Sequence, residues 1–273
     1  MKVLSKTLKI LLVSILVFVT GILLSTAWVI SVFPNNNEIR GCLTTKMYHV
    51  SCCPKSKDYA SLSEISPFLQ KAVVLTEDSS FWIHQGFDLD ELQRSLKKNL
   101  ETGKYARGGS TISQQLAKNL FLTEEKTLLR KLKEAIITLR LEKVLSKKEI
   151  LERYLNVVHF GKDIFGIKSA AQFYFHKTPL QLNLTESAFL TFLLPSPEKY
   201  SVSFFKGKLT PFAEKRMNQI IDNMFQYQRI SEFEYITAKS DMKNFLKFEE
   251  AQDNAELVKE LEGTEESAET EDD

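Results

Sequence analysis

The sequence predicts a mainly α fold behind one N-terminal helix of membrane-crossing length. Three observations predict it. Helix-start signals recur along the chain, each followed by apolar residues at helical spacing. Strand signals are nearly absent. Residues 10–33 form a run of 24 without a charged side chain. At about 1.5 Å per residue such a run spans the roughly 30 Å hydrocarbon layer. The 273 residues are 43% hydrophobic and 26% charged. That is ordinary for a chain that buries a core, and it excludes a fibrous repeat, a wholly disordered chain and a multi-span membrane protein.

Lys2, Lys6 and Lys9 precede the apolar run, while Glu38 and Arg40 follow it. The excess of positive charge places residues 1–9 in the cytoplasm and everything after Phe33 outside it. Ser25-Thr26-Ala27 resembles a signal-peptide cleavage site. The run continues through Trp28, Val29, Ile30 and Val32, however, and its length favours an uncleaved anchor over residues 10–33. The rest is exported on either reading, so Cys42, Cys52 and Cys53 meet an oxidising compartment. A Cys42–Cys52 link, a Cys42–Cys53 link and free thiols all remain open, and three cysteines make neither a disulfide framework nor a metal pattern.

Residues 34–60 read as a polar connector, with Pro34, three Asn and Gly41. Ser61 with Glu64 makes a capping box, and Ser66-Pro67 starts a helix running to Glu77. Asp88 caps a helix with Leu89, Leu92, Leu96 and Leu100 on one face, closed by Gly103. Ile112 to Leu120 is a short helix, and Thr127 to Val144 a long one. Ser146 with Glu149 opens another, to about Asn156. Gly166 to Tyr174, Thr185 to Leu194 and Pro211 to Gln228 complete a domain over residues 61–230. Residues 231–248 are a C-terminal extension. The stretch 249–273 holds 12 acidic residues and one basic residue, and its composition predicts an unstructured tail. The formal charge of +1 therefore conceals a body, residues 1–248, with 35 basic and 23 acidic side chains, a net of +12. An exported cationic body calls for an anionic partner such as a phosphorylated substrate or lipid headgroups, and export excludes nucleic acid.

Four segments carry candidate chemistry. Glu77-Asp78 ends a helix before Phe81, Trp82, His84, Gln85 and Gly86, and a carboxylate beside apolar rings can titrate near neutrality. Arg107-Gly108-Gly109-Ser110-Thr111 leads into a helix with Gln114, Gln115, Lys118 and Asn119, which is how a chain presents backbone N–H groups and a positive helix end to an anion. Arg130, Lys131 and Glu134 share one face of the long helix. Tyr154 and Asn156 lie in a helix that runs into a loop with Gly161 and Gly166. Taken singly, the first, third and fourth read better as a capped helix end, a solvated ladder of ion pairs and scaffold, and the second reads equally well as an N-capped helix after a flexible turn.

Together and in this order, the segments resemble the peptidoglycan glycosyltransferase (transglycosylase) family, over about residues 60–225. The second segment is the most specific of them. Leu184-Thr185-Glu186-Ser187-Ala188 with Pro195-Ser196-Pro197 is similar to a fifth family motif. Within the family the closest likeness is to its monofunctional biosynthetic members, because only about 50 residues follow the matching stretch, too few for a transpeptidase domain. The resemblance implies a lysozyme-like helical domain at the cytoplasmic (inner) membrane, with lipid II and the growing glycan strand as substrates and cell-wall synthesis or division proteins as further partners. Glu77 is then the general base for the acceptor's 4-hydroxyl. Attack inverts the α-linked donor to a β-1,4 product and releases undecaprenyl diphosphate. Glu134, with Arg130 and Lys131, stabilises or protonates the departing diphosphate, directly or through a divalent metal (Mg or Mn) whose ligands the resemblance leaves unassigned. No organic cofactor is implied. Asp78, His84, Arg107, Gly109, Ser110, Thr111, Gln114, Gln115, Lys118, Asn119, Tyr154 and Asn156 are the implied substrate-binding residues. One departure stands out: the family often carries a basic residue where this chain has Ser80. A lytic enzyme of the same fold is the main alternative, and the basic cluster around Glu134 fits a diphosphate leaving group better.

Overall fold

The computed structural model describes residues 2–102 and 109–246. Arg107 and the acidic tail lie outside the described residues. The chain divides into two units, residues 1–39 and 40–273. The first contains helix α1 (Lys2–Val32). Inside it the Ser14 and Thr20 hydroxyls donate to the carbonyls of Ile10 and Leu16, one turn back. Among the described residues no helix is long and apolar enough to cross a membrane. The side chains of residues 25–32 are not among those described.

The second unit is mainly helical. Its helices are α3 (Pro67–Glu77), α4 (Leu89–Thr102), α5 (Ile112–Phe121), α6 (Leu128–Val144), α7 (Lys147–Val157), α8 (Ile167–Phe175), α9 (Leu184–Leu193), α12 (Pro211–Gln226) and α13 (Glu232–Asp241). The short α2 (Asn36–Arg40) precedes them, and α10 (Pro197–Tyr200) and α11 (Val202–Phe205) follow α9. Their starts follow from local chemistry. Thr111, Ser146, Asn183 and Ser231 each form a capping box with a Gln or Glu three residues on, and Pro opens α3 and α12. Such caps satisfy backbone N–H groups that a helix leaves unpaired.

Every residue of α9 is buried. A helix buried on every face, its Thr185, Glu186, Ser187 and Thr191 included, sits inside a bundle, and α3, α12 and α13 pack against it. A second group forms where α5 packs on α6 and α7. Glu77 ends a helix of the first group, while Gln115 and Lys118 lie on a helix of the second.

Residues 40–60 carry more structure than a plain connector. Strands β1 (Leu43–Thr44) and β2 (Ser51–Cys52) pair antiparallel, and Cys42 bonds to Cys53. Cys52 stays a buried free thiol, its pKa pushed up by burial against the pull of Arg153. Buried Arg153 in α7 anchors the segment by donating to the Arg40 and Gly41 carbonyls, at 2.8 and 3.4 Å. The capping box at Ser61 opens only a 3-10 turn, Leu62–Glu64. A second hairpin, β3 (His159–Gly161) with β4 (Ile164–Phe165), follows α7. Gly166 must be glycine, because its φ is +75° and a Cβ there would meet the Asn156 carbonyl oxygen at 2.4 Å.

Candidate active site

The geometry centres on Glu77. Gln115 Nε2 donates to Glu77 Oε2 at 2.9 Å, and the Tyr154 hydroxyl donates to Gln115 Oε1 at 3.0 Å. The tyrosine fixes which way the amide faces, so the amide presents N–H to the carboxylate. Tyr154 is fully buried. Burial first, then the Glu77 and Asp78 charges, push its hydroxyl pKa well above the ordinary tyrosine value, so it acts as a neutral donor. Glu77 itself is pushed up: burial dominates, the Asp78 charge adds to it, and the Gln115 hydrogen bond and the Arg216 and Lys118 charges pull the other way. A carboxylate shifted in this way sheds its proton closer to neutrality and is a better base.

Glu77 lines a cleft of about 180 Å³ with Asp78, Asp88, Glu91, Gly109 and Ser110 among its walls. Four carboxylates make this side acidic, which suits hydroxyl groups and repels phosphate. The cations gather around a second glutamate. Glu134 in α6 is 2% exposed. Arg130 Nη1 reaches its Oε2 at 2.9 Å and Lys131 Nζ its Oε1 at 2.5 Å. Lys118 feels the Glu134, Arg130 and Lys131 charges, and burial is the main cause that pushes its pKa down. Lys118 thus links the two glutamates electrostatically. Arg130 Nε is buried with no hydrogen-bond partner among the described residues. A buried donor without an acceptor is costly unless a ligand fills the place.

Other candidates serve the frame. Asp78, 6% exposed, accepts from Ile112 N at 2.9 Å and holds His84 Nε2 at 3.0 Å. The start of α5, expected to hold a substrate anion, therefore already holds the Asp78 carboxylate. His84 Nδ1 accepts from Gly86 N at 3.0 Å, which places the imidazole proton toward Asp78. Thr111 Oγ1 donates to the Gly86 carbonyl at 2.7 Å, and Gln114 closes the capping box. Gly86 has φ +100°, and a Cβ would meet Thr138 Cγ2 at 3.0 Å. Asn156 clamps Ala60 by two hydrogen bonds of 2.8 Å, accepting from its N–H and donating to its carbonyl. Asn119 is buried and its backbone carbonyl accepts from Met47 N. Gly109 and Ser110 are exposed at the cleft. Ser80 donates to Asp88 Oδ2 at 2.5 Å, and this bond is the main cause that lowers the Asp88 pKa.

Two further polar contributors lie outside the implied substrate-binding residues, although the resemblance places Glu142 in one motif with Arg130, Lys131 and Glu134. Glu142 pairs with Lys147 at 2.6 Å and accepts from Ser113, bracing α5 against α6 and α7. Lys147 sits 4.7 Å over the Phe81 ring. Arg216 on α12 acts on Glu77 through charge alone, and no local pattern around it marks it out.

The donor set around Glu134 is two cations and one carboxylate, and among the described residues no three His, Cys, Asp or Glu side chains group as a metal site. These residues do not fit a protein-held metal, and no step below uses one.

A family model described as Transglycosylase matches residues 45–225. A biosynthetic peptidoglycan transglycosylase of Nitrosospira multiformis is 45% identical over 161 residues, 59% of this chain and 68% of that one. One from Nitrosomonas eutropha is 50% identical over 142 residues, 52% of this chain and 58% of that one. One from Dechloromonas aromatica is 38% identical over 205 residues, 73% of this chain and 89% of that one. The chain thus spans from about three fifths to nine tenths of these relatives' lengths. Penicillin-binding protein 1A from Haemophilus influenzae aligns at 27% identity over 46% of this chain and 15% of that one, with a TM-score of 0.28.

Proposed function

The chain belongs to the transglycosylase family, and on that premise we propose that it polymerises lipid II into peptidoglycan glycan strands. The observation that carries the reading is the pairing of surroundings. A half-buried carboxylate with a raised pKa lines an acidic cleft, and Lys118 joins it to a cluster of Arg130, Lys131 and Glu134.

Glu77 accepts the proton of the acceptor sugar's 4-hydroxyl as that oxygen attacks the donor's anomeric carbon. Gln115 holds one carboxylate oxygen, with Tyr154 behind it, and the other oxygen is left for the substrate. The carbon–oxygen bond to the diphosphate breaks on the opposite face, so the α-linked donor becomes a β-1,4-linked product. Undecaprenyl diphosphate departs. Lys118, Arg130 and Lys131 take up its charge, and Arg130 Nε supplies an unused donor. Glu134 keeps the two α6 cations in place between turnovers.

The domain is lysozyme-like, with α3 and α9 carrying the base and α5 and α6 the leaving-group site. Residues 10–33 anchor it to the inner membrane as a single span, with residues 1–9 in the cytoplasm. The absence of charge from Ile10 to Phe33 supports this, as do the lysines before it and the return of the Ser14 and Thr20 hydroxyls to the helix's own carbonyls. The anchor holds the cationic body on the bilayer that carries both substrates.

The direct test is polymerisation of labelled lipid II by the detergent-solubilised full chain, with products resolved by mass. Strands that lengthen and carry a lipid diphosphate end support the reading. Shortening of added strands without use of lipid II would instead mark a lytic enzyme.

A further inference from the structure

A second constellation lies at the C-terminal end of α5, and the scheme above does not use it. Lys46 N donates to the Leu120 carbonyl and Met47 N to the Asn119 carbonyl, which fixes Tyr48 beside that helix end. His159 and Phe165 stand opposite each other across the β3–β4 ladder, with stacked rings 4.7 Å apart. Tyr48 closes on both, at 5.4 Å from His159 and 4.8 Å from Phe165.

The imidazole is held on one side by the Gly161 backbone. Its Nε2 is buried and has no hydrogen-bond partner among the described residues. It faces Glu198 Oε1 at 3.8 Å. Burial pushes the imidazole pKa down, so at neutral pH this nitrogen is a lone-pair acceptor facing a carboxylate, with no proton between them. Asp163 and Glu124 also act on the ring, and Glu124 and Glu198 on the Tyr48 hydroxyl. The spot is therefore acidic within a body of net charge +12.

These features select a ligand class. Phosphate is repelled by three carboxylates. A neutral sugar hydroxyl could bond to His159 but would leave the carboxylates unexplained. A compact cation with several N–H donors answers to all of them: one donor for Nε2, one for Glu198, and ring faces whose negative charge attracts it. The position answers to the substrate as well, because the Glu124 charge acts on Lys118 too and so couples the aromatic cluster to the leaving-group site.

We propose that Tyr48, His159, Phe165 and Glu198 form a binding site for a primary ammonium group carried on the peptide stem of the lipid-linked precursor. The proposal rests on the polymerisation reading. It makes this cluster a specificity element for the stem rather than part of the chemistry.

The test compares two substrates on the full chain in detergent: lipid II with a free stem amine, and the same molecule with that amine acetylated. The expected result is a KM about fivefold higher for the acetylated substrate at similar kcat, the size of a partly exposed ion pair. Glu198→Gln and His159→Phe should each raise KM for the free-amine substrate toward the acetylated value, and so erase the discrimination. Equal KM for both substrates on the wild-type chain, with polymerisation intact, overturns the ammonium site alone. Discrimination retained in both variants overturns its assignment to these residues. Failure to polymerise either substrate overturns the underlying reading, and the proposal falls with it.

Discussion

Glu77 and Glu134 are both carboxylates withdrawn from water, and their surroundings are opposite. Glu134 is met by two cations within 3 Å and its charge is paired. Glu77 is met by an amide and by another carboxylate, and burial raises its pKa. A paired charge is an anchor for the groups around it. An ill-matched charge is a proton acceptor that folding alone does not favour. Side-chain type thus leaves the roles open, and environment separates them. The substitutions below either collapse that difference or exaggerate it.

The largest effect is expected from Glu77→Gln. Polymerisation should fall by at least about 100-fold, the usual scale of general-base catalysis, with lipid II binding largely kept. Stability should move the other way. Because the folded-state pKa of Glu77 is raised above the ordinary value of 4.5, the folded protein binds more protons than the unfolded chain between that value and the raised one. Stability therefore falls as pH rises through this window. Gln removes the penalty, so the variant should melt higher than wild type at neutral pH, and the gap should close toward pH 4.5. A variant that melts lower and still polymerises at near wild-type rate per folded molecule would make Glu77 structural.

Glu134→Gln probes the paired partner and should also cripple turnover, by roughly 10- to 100-fold, as for loss of electrostatic support to a leaving group. Its stability signature should be the reverse of that at Glu77. Removing one member of a buried pair costs about 3–5 kcal/mol, less here because Lys131 is half exposed. The variant should melt several degrees lower, and inorganic diphosphate, by restoring an anion beside Arg130 and Lys131, should recover part of the loss. A Glu134→Gln melting temperature at or above wild type would remove the contrast between the two sites.

Much of this contrast could be read in the chain, and the parts that could not have physical reasons. Helices α3, α5, α6, α7 and α12 follow from caps and apolar spacing within one segment, so local chemistry specifies them. The hairpins β1–β2 and β3–β4 have strands of two or three residues, too short to show an alternation, and exist because Arg153 and the surrounding helices hold them. The Ser231–Glu234 capping box that starts α13 was present as a signal of the same kind that marked Ser146 and Glu149. Within the site, Glu77, Gln115 and Tyr154 come from three separate motifs, and only folding shows that they form one chain of hydrogen bonds. Asp78, Thr111 and Asn156 are substrate-binding residues by the resemblance, and only the fold shows that their polar atoms also have partners in Ile112, Gly86 and Ala60.

Tyr154→Phe sharpens the comparison on the Glu77 side without touching the carboxylate. It removes one hydrogen bond to Gln115, worth about 1 kcal/mol, and frees the amide to turn. The rate should fall by about three- to tenfold, and in a Gln115→Ala background Tyr154→Phe should add little, because Tyr154 acts on Glu77 only through that amide. Full additivity of the two losses would mean that Tyr154 reaches the substrate by another route.

Ser80→Arg makes the smallest change and the most diagnostic one, since it brings a cation toward Glu77 and so makes its surroundings more like those of Glu134. Ser80 sits three residues beyond Glu77 and donates to Asp88, which lines the same cleft. An arginine can pair with Asp88 in place of the hydroxyl. A cation roughly 10 Å from a carboxylate across water lowers its pKa by only about 0.3 unit, and salt weakens this further. The acid side of the rate–pH profile should therefore move down by a few tenths of a unit. The plateau rate should change by less than about twofold, since the chemistry of the base is otherwise kept. The shift should shrink between low and high salt, and it should be absent in a Glu77→Gln background, where no base remains to titrate. An acid limb that stays put at low salt would mean that it reports some group other than Glu77. A hundredfold loss of rate would mean that Ser80 belongs to a pocket that the acceptor sugar itself must enter.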